Sequence, residues 1–378
     1  MRIALDGFPL SSPRTGIGHY TFELARALAQ TAPNHNFELI SPLPFADSVV
    51  QELQQASVPN LVLNNPQPTS FSRRWWAIGL PLFLRKNAFD VFHGTNYEVP
   101  LWNRQRNVLT IHDLSILLHP EYHEPHLVRR ARRRLPLMVR SAAMIIAVTQ
   151  SIKREICEHL KVKSERVVVT PEAPRHIFRP MPVPETIATR LRLGIEADFI
   201  LFVGTIEPRK NLLTLVRAFE QVLRTTELRP QLVIAGGEGW LMEGLNSFIS
   251  TSGIGDRVRF IGYTSDEALR ALYSSCRICV YPSLYEGFGL PPLEAMSCGA
   301  PVITSHIPAI AETVGNAAVL IDPHSVAGLA QSIIHLWNDE QLRLHLSQTG
   351  LQRAAEFSWQ RTAKLTLDAY GRLVNAEW

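Results

Sequence analysis

Residues 278–296 read ICVYPSLYEGFGLPPLEAM, and this stretch combines a strand, a glycine-containing turn and a helix. The apolar run 278–281 predicts a buried strand. Gly287 and Gly289 allow the backbone to approach a neighbour closely, and Pro291 suits the first turn of a helix. A strand that passes through such a turn into a helix is typical of a parallel α/β sheet.

The same alternation of short apolar runs and helical periodicity extends along the chain. The sequence predicts strands at 2–6, 37–41, 61–63, 90–93, 107–111, 144–148, 167–170, 199–203, 231–235, 258–261, 278–281, 301–304 and 318–321. It predicts helices at 18–30, 211–225, 266–275, 290–298, 325–337, 340–355 and 359–376. The rhythm indicates an α/β protein with two Rossmann-like, doubly wound parallel sheets.

A proline-rich stretch separates the two halves. Residues 171–184 contain five prolines, which disfavour a central strand or a helix interior. We therefore expect an N-terminal domain at 1–170, an extended linker at 171–195 and a C-terminal domain at 196–358. A final helix lies within 359–378.

Bulk composition excludes several protein classes. The chain has 378 residues, 46% hydrophobic and 19% charged, with a net charge of +4, which is typical of a globular protein of two domains. Four cysteines do not indicate a disulfide framework. Met1 leads directly into a strand, and long apolar runs are missing. We therefore expect a cytoplasmic protein without a signal peptide or a spanning helix.

Ligands of doubly wound sheets bind beyond the carboxyl ends of the strands, so the turns there are the candidate sites. Gly16 and Gly18 follow the first strand and open a helix, which suits a bound phosphate or simply a tight turn. His112 and Asp113 follow the strand 107–111. They either face a cleft or form structural hydrogen bonds.

The turns of the second half carry charges. Arg209 and Lys210 stand at the start of a helix, where the helix dipole favours anions, so a bound phosphate explains the pair better than packing does. Glu286 lies in the loop before the helix at 290–298 and Glu294 about one turn into it. Two carboxylates that flank a helix N-terminus suit a ligand with a phosphate and hydroxyl groups.

These residues resemble a known family. Glu286 and Glu294, with seven residues between them, resemble the paired-glutamate motif of retaining glycosyltransferases of the GT-B fold, sequence family 4. The turn at 204–211 is similar to the cationic turn of that family. The resemblance covers the whole chain. Within the family, the sequence looks most like polysaccharide and O-antigen mannosyltransferases. It implies a fold of two Rossmann-like domains that face a central cleft.

The resemblance also implies roles for residues. Arg209 and Lys210 would neutralise the donor diphosphate, Glu286 would lie near the donor sugar, and Glu294 would bind the ribose hydroxyls. His112 would contact the transferred sugar. The other implied donor contacts come from Gly16, Gly18, Asp113, Phe288, Gly289, Leu290, Gly236 and Tyr263. The final helix would cross back to the N-terminal domain.

The implied reaction is a retaining transfer of a hexosyl group, such as mannosyl, from a nucleotide sugar to a saccharide or lipid-linked acceptor. The nucleotide sugar is a co-substrate, and no separate cofactor is expected. Because no metal-binding motif stands out, the two cations would replace a divalent metal. One departure from the family is Thr205, at a position where many members have arginine, which leaves the diphosphate contacts open.

The segment 126–140 is rich in arginine, and Leu127, Ala131, Leu135 and Met138 could share one helical face. Two interpretations stay open. The helix binds an anionic membrane surface, at the inner face of the plasma membrane, or it packs its apolar stripe on the core. Base-stacking aromatic residues are not evident there, so we expect no nucleic-acid partner.

Two rival functions remain. A nucleotide-sugar epimerase or hydrolase would use the same fold, and a sugar-binding protein of the periplasmic type would also have two domains. The adjacent cations and the missing signal peptide disfavour the binding protein. A phosphorylase would require a longer chain and a lysine-bound pyridoxal phosphate.

Overall fold

The structure is a computed structural model that describes residues 1–56, 58–66, 74–101, 106–195, 198–237 and 243–375. The chain divides into two compact units. Unit 1 comprises Met1–Glu172 and the C-terminal segment from Ser358, and unit 2 comprises Ala173–Phe357.

Unit 1 contains a parallel sheet of seven strands in the order β3-β2-β1-β4-β5-β6-β7. The strands are β1 (Arg2–Asp6), β2 (Asn36–Ile40), β3 (Leu61–Asn64), β4 (Val91–Gly94), β5 (Asn107–Ile111), β6 (Met144–Ala147) and β7 (Val167–Val169). The helices are α1 (Gly16–Thr31), α2 (Asp47–Gln55), α3 (Leu80–Asn87), α4 (Ser115–Leu118), α5 (Pro125–Ser141) and α6 (Gln150–His159). A π-helical turn, Trp75–Gly79, precedes α3.

Unit 2 contains a second parallel sheet, of six strands in the order β10-β9-β8-β11-β12-β13. The strands are β8 (Phe199–Val203), β9 (Gln231–Ala235), β10 (Val258–Gly262), β11 (Ile278–Tyr281), β12 (Val302–Ser305) and β13 (Val319–Ile321). The helices are α7 (Val183–Arg192), α8 (Leu212–Thr225), α9 (Glu243–Thr251), α10 (Asp266–Ser275), α11 (Leu290–Ser297), α12 (Pro308–Val314), α13 (Val326–Asn338) and α14 (Glu340–Ala355).

Apolar strands form the centre of each unit. The side chains of β8 from Phe199 to Phe202 are completely buried, as are those of β5 at Val108 and Leu109. Helices pack on these sheets through one apolar stripe each, and α8 buries Leu215 and its neighbours at helical spacing. The predicted α/β fold with two doubly wound sheets is confirmed.

Strand order reverses once in each sheet. In unit 1 the reversal lies between β1 and β4, and in unit 2 it lies between β8 and β11. A crevice for a ligand forms where neighbouring strands are continued by helices on opposite faces. The turns after β8 and β11 therefore border such a crevice, and they carry the predicted cations and the carboxylate Glu286.

Residues 171–195, expected to form an extended linker, include the helix α7. Unit 2 begins within this stretch, at Ala173. The helix packs against α10. The prolines do not prevent it, because they lie before the helix or in its first turn, where the missing N–H group is not needed.

The last helix, α15 (Trp359–Asn375), belongs to unit 1 and packs against α1. It buries Ala363 and Tyr370 completely. The Tyr370 hydroxyl lies 2.6 Å from Nδ1 of His93 on β4. Across the described ranges, no helix has the length and apolar character needed to cross a membrane.

Candidate active site

The turn between β8 and α8 presents the two predicted cations. Arg209 and Lys210 end a short 3-10 helix, and Asn211 after them has left-handed backbone with a φ of 58°. The Asn211 side-chain amide donates to the carbonyl oxygens of Pro282 and Pro323 at 3.0 and 2.7 Å. These bonds attach the turn to the loops after β11 and β13.

Both cations contact the carboxylate of Glu286, in the loop after β11. Arg209 Nη1 lies 3.0 Å from Glu286 Oε2, and Lys210 Nζ lies 2.6 Å from Oε1. The Tyr281 hydroxyl donates to Oε1 at 2.8 Å and accepts from Lys210 at 2.6 Å. Glu286 itself is 8% exposed. The turn after β8 and the turn after β11 thus meet at one buried carboxylate.

The charges around Glu286 set its ionisation. Burial opposes the charged form, but the adjacent Arg209 and Lys210 outweigh it and lower the pKa of Glu286 to about 2. Burial also lowers the pKa of Lys210, against the opposing charge of Glu286. Glu207 accepts from Arg209 at 2.7 Å. Two cations and two carboxylates therefore balance to zero net charge within this group.

The loop after Glu286 is fixed by glycine and proline. Gly289 has a φ of 91°, which favours glycine, and it begins α11 with two prolines in the first turn. Thr313 donates to the Phe288 carbonyl oxygen at 2.7 Å. Phe288 therefore leads directly through Gly289 into α11, which begins at Leu290.

Glu294 lies on α11 and is 8% exposed. Its Oε1 lies 3.4 Å from Nε of Arg175, whose Nη1 lies 2.6 Å from Asp266 Oδ2. Arg175 stands in the proline-rich stretch that follows β7. The Arg175 guanidinium lies between two carboxylates and so helps to orient the Glu294 side chain.

The turns after β8 and β9 contact each other at Gly204 and Gly236. A Cβ atom on Gly236, which has a φ of 150°, would lie 2.0 Å from the Gly204 carbonyl oxygen. No side chain fits there. Tyr263, after β10, is 76% exposed. Residues 238–242, which follow Gly236 and Gly237, lie outside the described residues.

In unit 1, His112 follows β5 and lies between two acceptors. Its Nδ1 is 3.0 Å from Glu172 Oε1, and its Nε2 is 2.9 Å from the Thr95 carbonyl oxygen. The Tyr20 ring of α1 meets the imidazole edge to face, with centroids 4.6 Å apart. Asp113 accepts from the backbone N–H and the hydroxyl of Ser115, the first residue of α4.

Gly16 and Gly18 form the first turn of α1. A Cβ atom on Gly18 would lie 3.1 Å from the Pro9 carbonyl oxygen, whereas a Cβ atom on Gly16 would meet nothing within 4 Å. Packing therefore accounts for Gly18, and Gly16 leaves open space beside the helix N-terminus, where an anion is favoured.

Comparison with known proteins identifies the family. Residues 186–353 match the model of glycosyl transferases group 1, and residues 14–173 match glycosyltransferase family 4. The chain is 32% identical to the O-antigen chain mannosyltransferase B of Escherichia coli, over 98% of this chain and 99% of that one. The chain belongs to the family 4 glycosyltransferases.

Two further likenesses extend this result. The glycosyltransferase is 27% identical to the serotype-specific mannosyltransferase WbdA of Escherichia coli, over all of its own length and 48% of that relative. The crystal structure of Anabaena HepE in complex with UDP and glucose superimposes with a TM-score of 0.76 at 19% identity, over 97% of this chain and 98% of that one. The fold is therefore GT-B.

The structure of the glycosyltransferase brings some of the predicted residues together. Unit 2 joins Arg209, Lys210 and Glu286 directly, and the backbone from Phe288 to Leu290 continues from Glu286. Glu294 contacts Arg175, and Gly236 contacts Gly204. The predicted roles of these residues, and of Gly16, His112 and Asp113 in unit 1, stay predictions.

Three further residues of these sites carry no clear signal in the sequence. Tyr281 ends β11 and reads as part of a buried strand, yet its hydroxyl binds both Lys210 and Glu286. Glu172 and Arg175 lie within the predicted linker at 171–195. Their position just beyond the carboxyl end of β7 was the available signal, because that edge of a parallel sheet is where ligand-binding side chains gather.

Proposed function

We propose that this glycosyltransferase transfers a hexosyl group, specifically mannosyl, from a nucleoside-diphosphate sugar to a saccharide or lipid-linked saccharide acceptor of a surface polysaccharide. The full-length similarity to an O-antigen mannosyltransferase supports the sugar and the product class. The convergence of Arg209 and Lys210 on Glu286 carries the proposal, because two adjacent cations beside one buried carboxylate suit a diphosphate. Unit 2 binds the donor and unit 1 binds the acceptor.

The balanced charges explain how the site would accept a donor. A diphosphate brings at least two negative charges and competes with Glu286 for Arg209 and Lys210. Arginine binds phosphate oxygens in a bidentate manner and lysine acts as a point charge. Once released from the cations, the Glu286 carboxylate accepts hydrogen bonds from hydroxyl groups of the donor sugar.

We further propose that transfer retains the anomeric configuration and requires no metal. The bond from the anomeric carbon to the diphosphate oxygen breaks, and the acceptor oxygen bonds to that carbon on the same face. The acceptor proton passes to the departing phosphate oxygen. Arg209 and Lys210 stabilise the charge that develops on the diphosphate, in the place of a divalent cation.

A binding and turnover assay tests the donor site. Nucleoside diphosphates and their mannose and glucose derivatives are screened by thermal shift without added metal, because ligands of the native state raise its melting temperature. We expect a shift with one nucleotide class that Lys210→Ala loses, together with a fall in turnover of about 10²–10³. Lys364→Ala, at an exposed position of α15, is the control.

Product analysis separates the alternatives. Transfer with an unchanged anomeric configuration by nuclear magnetic resonance, in the presence of a chelator, supports the proposal. An inverted product excludes retention, and loss of activity with the chelator excludes metal-independent catalysis. A free or epimerised sugar would instead identify a nucleotide-sugar hydrolase or epimerase. Folded protein that shifts with no nucleotide would exclude the donor site and favour a sugar-binding protein.

A second proposal concerns the basic helix α5, which we propose binds an anionic membrane surface. The helix buries Leu135 and Met138 of the predicted apolar face, while Leu127 is 40% exposed. Glu98 pairs with Arg130 and Arg134. Among the described residues, no carboxylate forms an ion pair with the four exposed arginines Arg129, Arg132, Arg133 and Arg140. Uncompensated positive charge complements anionic lipid head groups.

Sedimentation with vesicles tests this surface. We expect binding to vesicles that contain phosphatidylglycerol, no binding to pure phosphatidylcholine, and weaker binding as salt is raised. Substitution of Arg133 and Arg140 by alanine should reduce binding at least tenfold, since each basic residue contributes about 1 kcal/mol. The control replaces Arg217 and Arg224 of α8, which have the same spacing. An equal loss in both double variants would contradict a specific role for α5.

A further inference from the structure

The imidazole of His112 is held at both ring nitrogens by oxygen atoms. Glu172 Oε1 lies 3.0 Å from Nδ1, and the Thr95 carbonyl oxygen lies 2.9 Å from Nε2. A carbonyl oxygen only accepts, so Nε2 carries a proton. A second proton must lie between Nδ1 and the carboxylate, because two bare acceptors would repel each other. Imidazole is the stronger base by about two pKa units, so this proton belongs to His112.

The surroundings of His112 support the charged form. The titratable groups that face the ring from the packed elements are Glu172 after β7, Asp113 in the same loop, Tyr20 on α1, Tyr97 after β4 and His93 on β4. Burial lowers the pKa of His112, but the hydrogen bond and charge of Glu172 outweigh it and leave this pKa raised. Burial and the nearby His112 lower the pKa of His93 to about 3, so His93 stays neutral.

We infer that Glu172 is a positioning residue that holds His112 as an imidazolium ion at neutral pH, so that His112 supplies a fixed positive charge to the transfer reaction rather than a base. Both ring nitrogens are engaged, which leaves neither free to take a proton from an acceptor. The catalytic part of this inference rests on the proposed function.

The protonation state is measured directly. Protein labelled with ¹⁵N at histidine gives ring signals that distinguish a protonated from a bare nitrogen, and His112→Gln assigns the signals of His112. We expect both nitrogens of His112 to be protonated at pH 7.5. Glutamine has nearly the same size as glutamate but carries no charge. In Glu172→Gln the titration midpoint of His112 should therefore fall by about one pH unit or more. Glu124→Gln is the matched control, because Glu124 Oε2 lies 3.1 Å from Nδ1 of His126 and both side chains are exposed.

Two spectral results would overturn the inference: a neutral His112 in the unchanged protein at pH 7, or an unchanged midpoint in a folded Glu172→Gln variant. Should that variant not fold, the spectrum of the unchanged protein decides alone. These measurements need no substrate. They therefore remain informative even if no nucleotide sugar proves to be a donor, which would refute the proposed function instead.

The pH dependence of kcat/KM tests the role in the reaction. For Glu172→Gln we expect nearly normal kcat/KM below its lowered midpoint and a tenfold loss per pH unit above it, whereas the unchanged protein stays level over the same range. Low pH should thus restore the kcat/KM of the variant. A uniform loss at every pH would show that Glu172 serves the fold alone and would reject the positioning role.

Discussion

Glu286 keeps its negative charge in a buried position because Arg209 and Lys210 touch it. The pKa of Glu286 is about 2, below its ordinary value of 4.5, so its interactions stabilise the folded state above pH 4.5. This stabilisation is lost as the pH falls from 4.5 towards 2. We therefore expect the free energy of unfolding to depend on Glu286 mainly at neutral pH.

Urea unfolding of the unchanged protein and Glu286→Gln at several pH values measures this effect. At pH 7 the variant should be less stable by about 3–5 kcal/mol, the usual result of breaking a buried ion pair. The difference should shrink below pH 4.5. Glu267→Gln, at an exposed position on α10, is the control. A difference that does not change with pH would contradict the lowered pKa.

For single residues, the sequence predicts well which side chains have a chemical role. It predicts less well which neighbours those side chains contact. Arg209 and Glu286 stand out because charges at a helix start and in an apolar loop lack a packing reason. Their mutual contact spans 77 positions and depends on the strand order. The role of Tyr281 is hidden for a related reason, since a tyrosine is an ordinary strand residue.

At the scale of elements, the turn after β9 can be tested with two neighbouring glycines. Gly236→Ala would place Cβ 2.0 Å from the Gly204 carbonyl oxygen, whereas Cβ on Gly237 meets nothing within 4 Å. We expect Gly236→Ala to lower the free energy of unfolding by about 2 kcal/mol or more, because backbone must move. Gly237→Ala should change it by less than about 0.5 kcal/mol.

The turn after β8 leads to Arg209 and Lys210, so movement of Gly204 should also weaken nucleotide binding. Thermal shift with the nucleotide that the unchanged protein binds measures this for both variants. Equal behaviour of the two alanine variants, in stability and in binding, would show that the close approach of the two turns does not shape the proposed donor site.

Elements differ in how well a pattern predicts them. Each predicted strand agrees with the observed one within one residue at either end, because buried parallel strands are continuous apolar runs. The helix α7 was missed because its buried residues are Thr186 and Thr189, which leave no apolar stripe. In the basic helix α5 the buried side differs from the predicted one, because it includes Val128 and Val139. The many exposed arginines of this helix make that apolar pattern hard to recognise in the sequence.

At the scale of the whole molecule, unit 1 is built from both ends of the chain. The alternation of strands and helices predicts two sheets, but periodicity does not reveal which sheet the last helix joins. Its buried side, with Thr362, Ala363 and Thr366, would suit any apolar surface. The family resemblance suggested a return to the N-terminal domain, and the structure assigns α15 to unit 1.

Because each unit has its own sheet and core, a substitution that disrupts the packing of α15 should destabilise unit 1 selectively. Ala363 is completely buried where α15 packs on α1. An unpaired carboxylate there should cost on the order of 3 kcal/mol or more. Hydrogen exchange of Ala363→Asp should accelerate in α15, α1 and β1 and stay unchanged in β8 and β11. Lys364→Asp, on the exposed side of the same helix, should alter neither region. Equal acceleration in both sheets would instead mean that the two units unfold cooperatively, and unfolding of the last helix would then also destabilise the proposed donor site.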